Sequence, residues 1–303
     1  MEILYWLEGI RVPVLNEFML LITKFGEETL FLVAAMTILW CSDKRRSYYL
    51  LAVGFLGLIG NQFLKLAFRI PRPWVQDKNF TILEQAREAA SGYSFPSGHT
   101  QTAVGTFGSI AYTTKNRVVK CLCVAICILV PISRMYIGVH TPLDVTVAAA
   151  IAVLLIYFLK PITQAKSGKW MPWILSAMVL CAVAFWAYVE YFPFPTDIDA
   201  HNYESGVSNA YKFLGAIIGF AVVYIVDENW LHFEVKAVWW AQVLKVAIGF
   251  GLVLAVKSGL KAPINALVGA EVGSAVRYFL IVIVAGILWP LSFKFFKRLG
   301  NKG

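Results

Sequence analysis

Charge is what this 303-residue sequence has least of: only 15% of its residues are charged, with 18 acidic side chains and four histidines in the whole chain. Soluble globular chains carry about 25% charged residues. With 59% hydrophobic residues and a mean hydropathy of +0.67, that shortage excludes a water-soluble enzyme and a disordered chain. Cysteine is sparse as well. Cys41, Cys121, Cys123, Cys127 and Cys181 lie in or beside apolar runs and form no CxxC pair. They read as small free hydrophobes, not as a disulfide framework or a metal or redox site. Internal repeats and low-complexity tracts are missing. Met1-Glu2-Ile3 brings no basic n-region and no small-residue cleavage site, so no cleaved signal peptide is expected. The net charge of +9 does not point to nucleic acid as a partner, because the bases sit between apolar runs, where orientation signals belong.

Long apolar runs are what the chain has in abundance. At 1.5 Å per residue, about 20 apolar residues cross a hydrocarbon layer about 30 Å thick. Nine runs are candidates, near 27–42, 48–66, 98–114, 118–133, 142–160, 170–190, 210–226, 238–256 and 274–292. The pattern predicts an all-α, polytopic transmembrane bundle. Residues 1–25 alternate apolar side chains with Glu2, Glu8, Arg11, Glu17 and Lys24, as an amphipathic interfacial segment does. The expected organisation is therefore this segment, a core at 26–162, and C-terminal transmembrane helices at 163–303. Short basic connectors collect on one side: Lys44-Arg45-Arg46, Lys115 with Arg117 and Lys120, Lys160 with Lys166 and Lys169, Lys236, and the tail bases Lys294, Lys297, Arg298 and Lys302. The positive-inside rule puts that side and the C-terminus in the cytosol. Segments 69–95, 134–141 and 192–209 then face the opposite, extracytoplasmic side. Gly215 and Gly219 form a close-packing GxxxG face suited to the bundle, and Lys245, inside the eighth run, is expected to snorkel to the interface. The spans also offer surfaces for a homo-oligomer.

Ionisable residues in or at the ends of spans are costly and point to function. They gather at the outer ends of the second to fifth runs: Lys65, Arg72-Pro73, Pro96-Ser97-Gly98-His99, Ser133-Arg134, and His140 with Asp144. Each also has a local reading. Lys65 can snorkel, Ser97 can be a helix N-cap, and Thr141-Pro142-Leu143-Asp144 has the form of a capped helix start. Taken together, three cations, two histidines and one carboxylate on one membrane face suit a phosphate dianion, whose oxygens match the arginine fork. A helix starting at Ser97-Gly98 adds free backbone N–H groups and its positive dipole end, and Gly98 admits close approach. Asp144, four residues after His140, can orient the ring so that its other nitrogen acts as a nucleophile. His99, on a different helix, is placed to protonate a departing alkoxide and then to deprotonate water. No acidic cluster with divalent-cation spacing accompanies them, so no metal and no cofactor is expected.

These residues, in this order and spacing, resemble the complete three-part signature of the type 2 phosphatidic acid phosphatase superfamily, which also includes glucose-6-phosphatases and vanadium haloperoxidases. The motifs span residues 65–144, and no position departs from the pattern. The resemblance implies an all-helical membrane phosphatase working through a phosphohistidine. It assigns His140 as nucleophile, Asp144 as its orienting carboxylate and His99 as acid/base, with Lys65, Arg72, Arg134, Ser97 and Gly98 on the phosphoryl oxygens. Two spans before the first motif and nine in total is a layout closer to glucose-6-phosphatases than to lipid phosphatases. The expected substrate is a lipid phosphomonoester or diphosphate, such as undecaprenyl diphosphate, phosphatidate or phosphatidylglycerol phosphate. The alternatives are a phosphotransferase using the same site, a phosphatase of soluble sugar phosphates, or a transporter or scaffold with a silent site. Between the motifs, Phe80, Ile82, Leu83 and Ala86 alternate with charged residues, as in an amphipathic lid on the outer leaflet or a plain solvated loop.

Overall fold

Helix starts in this chain are written by caps and prolines, and the apolar runs between them have few alternatives to helix in a medium that offers no hydrogen bonds. In the computed structural model, which describes residues 1–87, 90, 92–164 and 169–299, all regular structure among the described residues is helical. The chain forms two compact units. Glu88 of the expected lid and the bases Lys166 and Lys302 lie outside the described residues.

The first unit comprises Met1–Ala34, Tyr49–Gln164 and Phe194–Gly206. Two short helices open it, α1 (Glu2–Gly9) and α2 (Pro13–Thr23), with Pro13 in the first turn where its missing N–H costs nothing. Then come α3 (Glu28–Cys41) and α4 (Lys44–Phe68), whose sequences also run into the second unit. Helix α5 (Gly98–Thr113) is capped by Ser97, whose hydroxyl accepts the Thr100 N–H. Helix α6 (Arg117–Tyr136) is capped by Asn116, and α7 (Pro142–Phe158) by a capping box between Thr141 and Asp144. Both cap readings of the sequence, at Ser97 and at Thr141, are realised. Helix α5 packs against α6 and α7. It also meets α4 through small residues: a Cβ at Gly57 would lie 2.5 Å from Gln101 Nε2, and one at Gly105 would lie 3.5 Å from Val53 Cγ1.

The second unit comprises Ala35–Tyr48, Ala165–Pro193 and Val207–Gly303. Its long helices are α8 (Met171–Tyr191), α9 (Ala200–Val226, from Val207 on), α10 (Trp239–Gly259) and α12 (Ala270–Ile283), with the short α11 (Lys261–Val268) before the last. The GxxxG pair packs within the chain. Gly215 rests on the backbone of Ala275, and a Cβ at Gly219 would stand 3.0 Å from Val282 Cβ. Lys245 does not snorkel. It is fully buried, donates to Val235 O at 2.9 Å and lies 4.3 Å from the centre of the Phe293 ring. A carbonyl and an aromatic face inside the unit replace the water its ammonium would otherwise have to reach. At the start of α4, Lys44 pairs with Asp227 at 2.7 and 2.9 Å, and Tyr48 adds a hydrogen bond at 2.8 Å.

Among the described residues, seven helices and not nine are long and apolar enough to cross a membrane: 44–76, 117–136, 142–163, 171–191, 200–231, 239–259 and 270–298. The other two expected runs form α3, with 14 residues, and α5, with 16. At 1.5 Å per residue these rise only about 21 and 24 Å. Apolar side chains such as Val118, Leu122, Leu154, Phe158 and Leu180 point outward, as they do where lipid is the solvent.

Candidate active site

The residues singled out in the sequence come together within the first unit, and each is placed by a helix end. Lys65 lies in the last turn of α4; its ammonium donates to the carbonyl of Tyr93. Arg72 is the extended residue before the short turn Pro73–Gln76, because the residue preceding a proline is driven out of the helical region. Its guanidinium donates from Nε to Gly92 O and from Nη1 to Val139 O, both at 3.0 Å. Arg134 occupies the last turn of α6 and donates from Nη1 to Thr23 Oγ1 at 2.7 Å. Ser97, Gly98 and His99 open α5, and the Ser97 N–H donates to Asp144 O at 3.1 Å, which joins the starts of α5 and α7. Lys65, Arg72, Ser97, Arg134, His140 and Asp144 are all buried; Gly98 and His99 are half-buried.

The centre of this cluster is His140. Arg72 Nη1 stands 2.9 Å from His140 Nε2. A guanidinium has only donors, so this contact makes Nε2 the acceptor and leaves the ring proton on Nδ1. Nδ1 faces Asp144 Oδ2 at 3.5 Å, too far for a good hydrogen bond, and has no hydrogen-bond partner in this state. The same carboxylate oxygen is held by Thr141 N at 2.7 Å and by Ser94 Oγ at 2.6 Å. Burial, reinforced by the positive charges of Arg72, Arg134, Lys65 and His99, holds the imidazole of His140 well below the ordinary histidine range. The ring is therefore neutral at neutral pH, with a lone pair at Nε2.

Lys65, Arg72 and Arg134 carry three formal positive charges against the single carboxylate of Asp144. Buried charge without a counter-ion is expensive, and a site with that surplus is complementary to an anion carrying about two negative charges. The donor set does not suit a divalent cation, which asks for several oxygen ligands and no adjoining cations.

Three parts of the arrangement carry no signal in the sequence. Ser94 is a lone serine in a loop, yet its hydroxyl fixes Asp144. The carbonyls of Gly92, Tyr93 and Val139 hold the cations through main-chain atoms that any residue could supply. Thr23 reaches the site from outside the motifs. The expected lid is a correction. Phe80, Ile82 and Ala86 are buried against Leu4, Leu7 and Met19 of the two N-terminal helices, so the loop is packed onto protein and not spread on a lipid leaflet. Its apolar face found a partner in residues 1–25, whose own alternating pattern had suggested the membrane interface.

A buried cluster of cations, histidines and one carboxylate at the ends of helices long and apolar enough to cross a membrane is the arrangement an integral-membrane phosphatase needs. Residues 45–167 match the PAP2 superfamily, and residues 211–302 match the PAP2 superfamily phosphatase transmembrane extension. The chain is 31% identical over 144 residues to undecaprenyl-diphosphatase BcrC of Bacillus subtilis, a match covering 47% of this chain and 72% of that one. It is 29% identical over 162 residues to phosphatidylglycerophosphatase B of the same organism, covering 50% and 76%. It is also 25% identical over 247 residues to a probable sphingosine-1-phosphate phosphatase of Dictyostelium discoideum, covering 75% and 56%. No solved structure matches. The chain belongs to the PAP2 superfamily, and it is a phosphoric monoester hydrolase of the lipid phosphatase kind.

Proposed function

We propose that the protein hydrolyses a lipid phosphomonoester or diphosphate at the extracytoplasmic face, through a phosphoryl group carried on His140. The observation that carries the reading is the Nε2 lone pair of a buried, neutral His140 set among Lys65, Arg72 and Arg134. In the resting site that lone pair is occupied by Arg72. An arriving phosphoryl oxygen is a stronger acceptor for the guanidinium, so Arg72 transfers its hydrogen bond to the substrate and frees Nε2 to attack.

In the first step the Nε2–P bond forms and the bond from phosphorus to the leaving oxygen breaks. Burial and then Arg134, Arg72 and Lys65 hold the imidazole of His99 low in the empty site. With the phosphoryl dianion seated and an alkoxide leaving, it enters protonated and gives its proton to that oxygen, whereas a lipid phosphate leaves without one and His99 stays neutral. As Nε2 bonds phosphorus the ring becomes cationic, and Asp144 opposes the new charge from the Nδ1 side. In the second step neutral His99 takes a proton from water, whose oxygen attacks phosphorus. The N–P bond breaks, orthophosphate is released and His140 returns to its neutral form. Lys65, Arg72, Arg134, the Ser97 hydroxyl and the Gly98 N–H serve the equatorial oxygens throughout, where charge is concentrated in the transition state.

The substrate class is supported by relatives named for undecaprenyl diphosphate and for phosphatidylglycerophosphate, and by the position of the buried cation cluster at helix ends. The distribution of basic connectors supports the outward orientation and a cytoplasmic C-terminus. The test is orthophosphate release by purified protein, with EDTA present, over undecaprenyl diphosphate, phosphatidate, phosphatidylglycerophosphate and a soluble sugar phosphate. Activity on the lipids that survives EDTA and is lost in His140→Ala is expected. Release that needs a divalent cation, or that persists in His140→Ala, refutes the mechanism. A membrane-impermeant phosphate analogue that inhibits intact cells or right-side-out vesicles supports the sidedness; inhibition of inverted vesicles alone refutes it.

A further inference from the structure

Residues 1–26 lie outside the segment 45–167 that matches the family, yet they reach two of the groups on which the proposed reaction depends. The last residue of α2, Thr23, is buried, and its hydroxyl accepts from Arg134 Nη1 at 2.7 Å. Arg134 Nε is buried and has no hydrogen-bond partner in this state. One edge of the guanidinium is thus tied to α2 while another donor is left to an incoming anion. The next turn, Lys24–Gly26, rests on α5: a Cβ at Gly26 would lie 2.7 Å from His99 O and 2.8 Å from His99 Cβ. The segment is itself anchored beside the site. Arg11 donates to Tyr136 O and to Thr81 O, both at 3.0 Å, and Tyr136 donates from its hydroxyl to Asn16 Oδ1 at 2.7 Å. Tyr136 is two residues beyond Arg134 on the same helix end.

We infer that the N-terminal helices are a positioning element of the active site, acting through the Thr23 hydroxyl on Arg134. This rests on the reading of Arg134 as a phosphoryl-binding group. A long arginine side chain free to sample its rotamers would have to be ordered each time substrate binds. One already fixed at Nη1 offers its remaining donors with that cost met in advance. Thr23 touches no reacting atom. It acts only by where it holds the guanidinium.

The experiment measures orthophosphate release and inhibition by orthovanadate for wild type, Thr23→Val, Thr23→Ser, Arg134→Lys and the double variant Thr23→Val/Arg134→Lys. Thr23→Val is expected to lower kcat and raise the orthovanadate inhibition constant, each about tenfold, the size of effect of one lost hydrogen bond to a charged group. Thr23→Ser, which keeps the hydroxyl, should stay within about threefold of wild type. The double variant should be no worse than Arg134→Lys alone, because the two residues work as a unit. If Thr23→Val does not fold, Thr23→Ala, which removes the hydroxyl without a methyl against the guanidinium, must give the same pattern. Wild-type kcat and orthovanadate inhibition without the hydroxyl overturn the inference. So does a full additional loss on the Arg134→Lys background. A wild-type protein that releases no orthophosphate refutes the proposed function instead.

Discussion

Replacing Asp144 by asparagine should separate two roles that one carboxylate now combines. As part of the capping box it accepts Thr141 N at 2.7 Å and is steadied by Ser94 Oγ at 2.6 Å. An amide oxygen can keep both bonds, so the start of α7 should survive with a stability change within about 1 kcal/mol. As the counter-ion of His140 it stands 3.5 Å from Nδ1. When Nε2 bonds phosphorus the ring gains a full positive charge. At that separation, with an effective dielectric constant of about 20, a unit pair is worth about 5 kcal/mol. If roughly half of the charge has developed at the transition state, the loss is about 2.4 kcal/mol, or about 50-fold in the rate of phosphoryl transfer. Rapid-quench measurement of phosphoenzyme formation, alongside a thermal unfolding scan, tests both halves. A transfer rate within about threefold of wild type in a normally folded protein would refute the pairing of Asp144 with the developing charge. A collapse of stability would refute the claim that the amide can keep the cap.

Three further outcomes follow from the same geometry. Ser94→Ala should lower kcat by about tenfold while leaving the fold intact, because the hydroxyl that directs Asp144 Oδ2 is lost; steady-state kinetics on a lipid phosphate decides it. The imidazole of His140 is held low by burial first and then by Arg72, Arg134, Lys65 and His99, so it stays neutral as pH falls through the ordinary value of 6.5. The acid limb of kcat/KM due to this ring should therefore lie below pH 6.5 and rise in Arg72→Gln, and a wild-type limb at or above 6.5 refutes it. The stability contributed by burying the neutral ring is present above that pH and lost as pH falls toward the lowered value. Gly138→Ala should destabilise the catalytic unit by about 1–3 kcal/mol, seen as a lower thermal midpoint. The position has φ of 88°, and a Cβ there would meet Arg11 Nη2 at 2.9 Å and Thr81 O at 3.0 Å.

The site was far more legible in the sequence than the architecture that carries it. Lys65, Arg72, Ser97, His99, Arg134, His140 and Asp144 are chemically conspicuous because a chain this poor in charge spends few ionisable residues at span ends without a use for them. Local rules then fixed their placement: a serine cap, a capping box and a residue held extended before proline need only a few neighbours each. What failed were inferences about what an apolar or polar side chain faces. The 74–95 loop looked like a surface segment seeking lipid, and its Phe80, Ile82 and Ala86 pack on Leu4, Leu7 and Met19 instead. Lys245 looked like an ammonium in search of water, and it found Val235 O. Periodicity reports that a face is apolar, not which partner will cover it.

Helix α5 is the sharpest instance, a run counted among the nine whose helix has only 16 residues. Its sequence is long enough to suggest a crossing, yet Thr100, Gln101, Thr102, Thr106 and Ser109 are all buried in it. A helix facing lipid could not afford that many hydroxyls and amides, because hydrocarbon offers them nothing. Helix α5 packs against α6 and α7 and meets α4 at Gly57 and Gly105, while Tyr112 near its C-terminal end is exposed. The small residues of α4 and α5, Gly57 and Gly105, bring the helices close enough for the start of α5 to be held beside Lys65 and Asp144. The face of α5 that buries these polar side chains is turned to protein, and the same helix start brings Ser97, Gly98 and His99 into the cation-rich cluster.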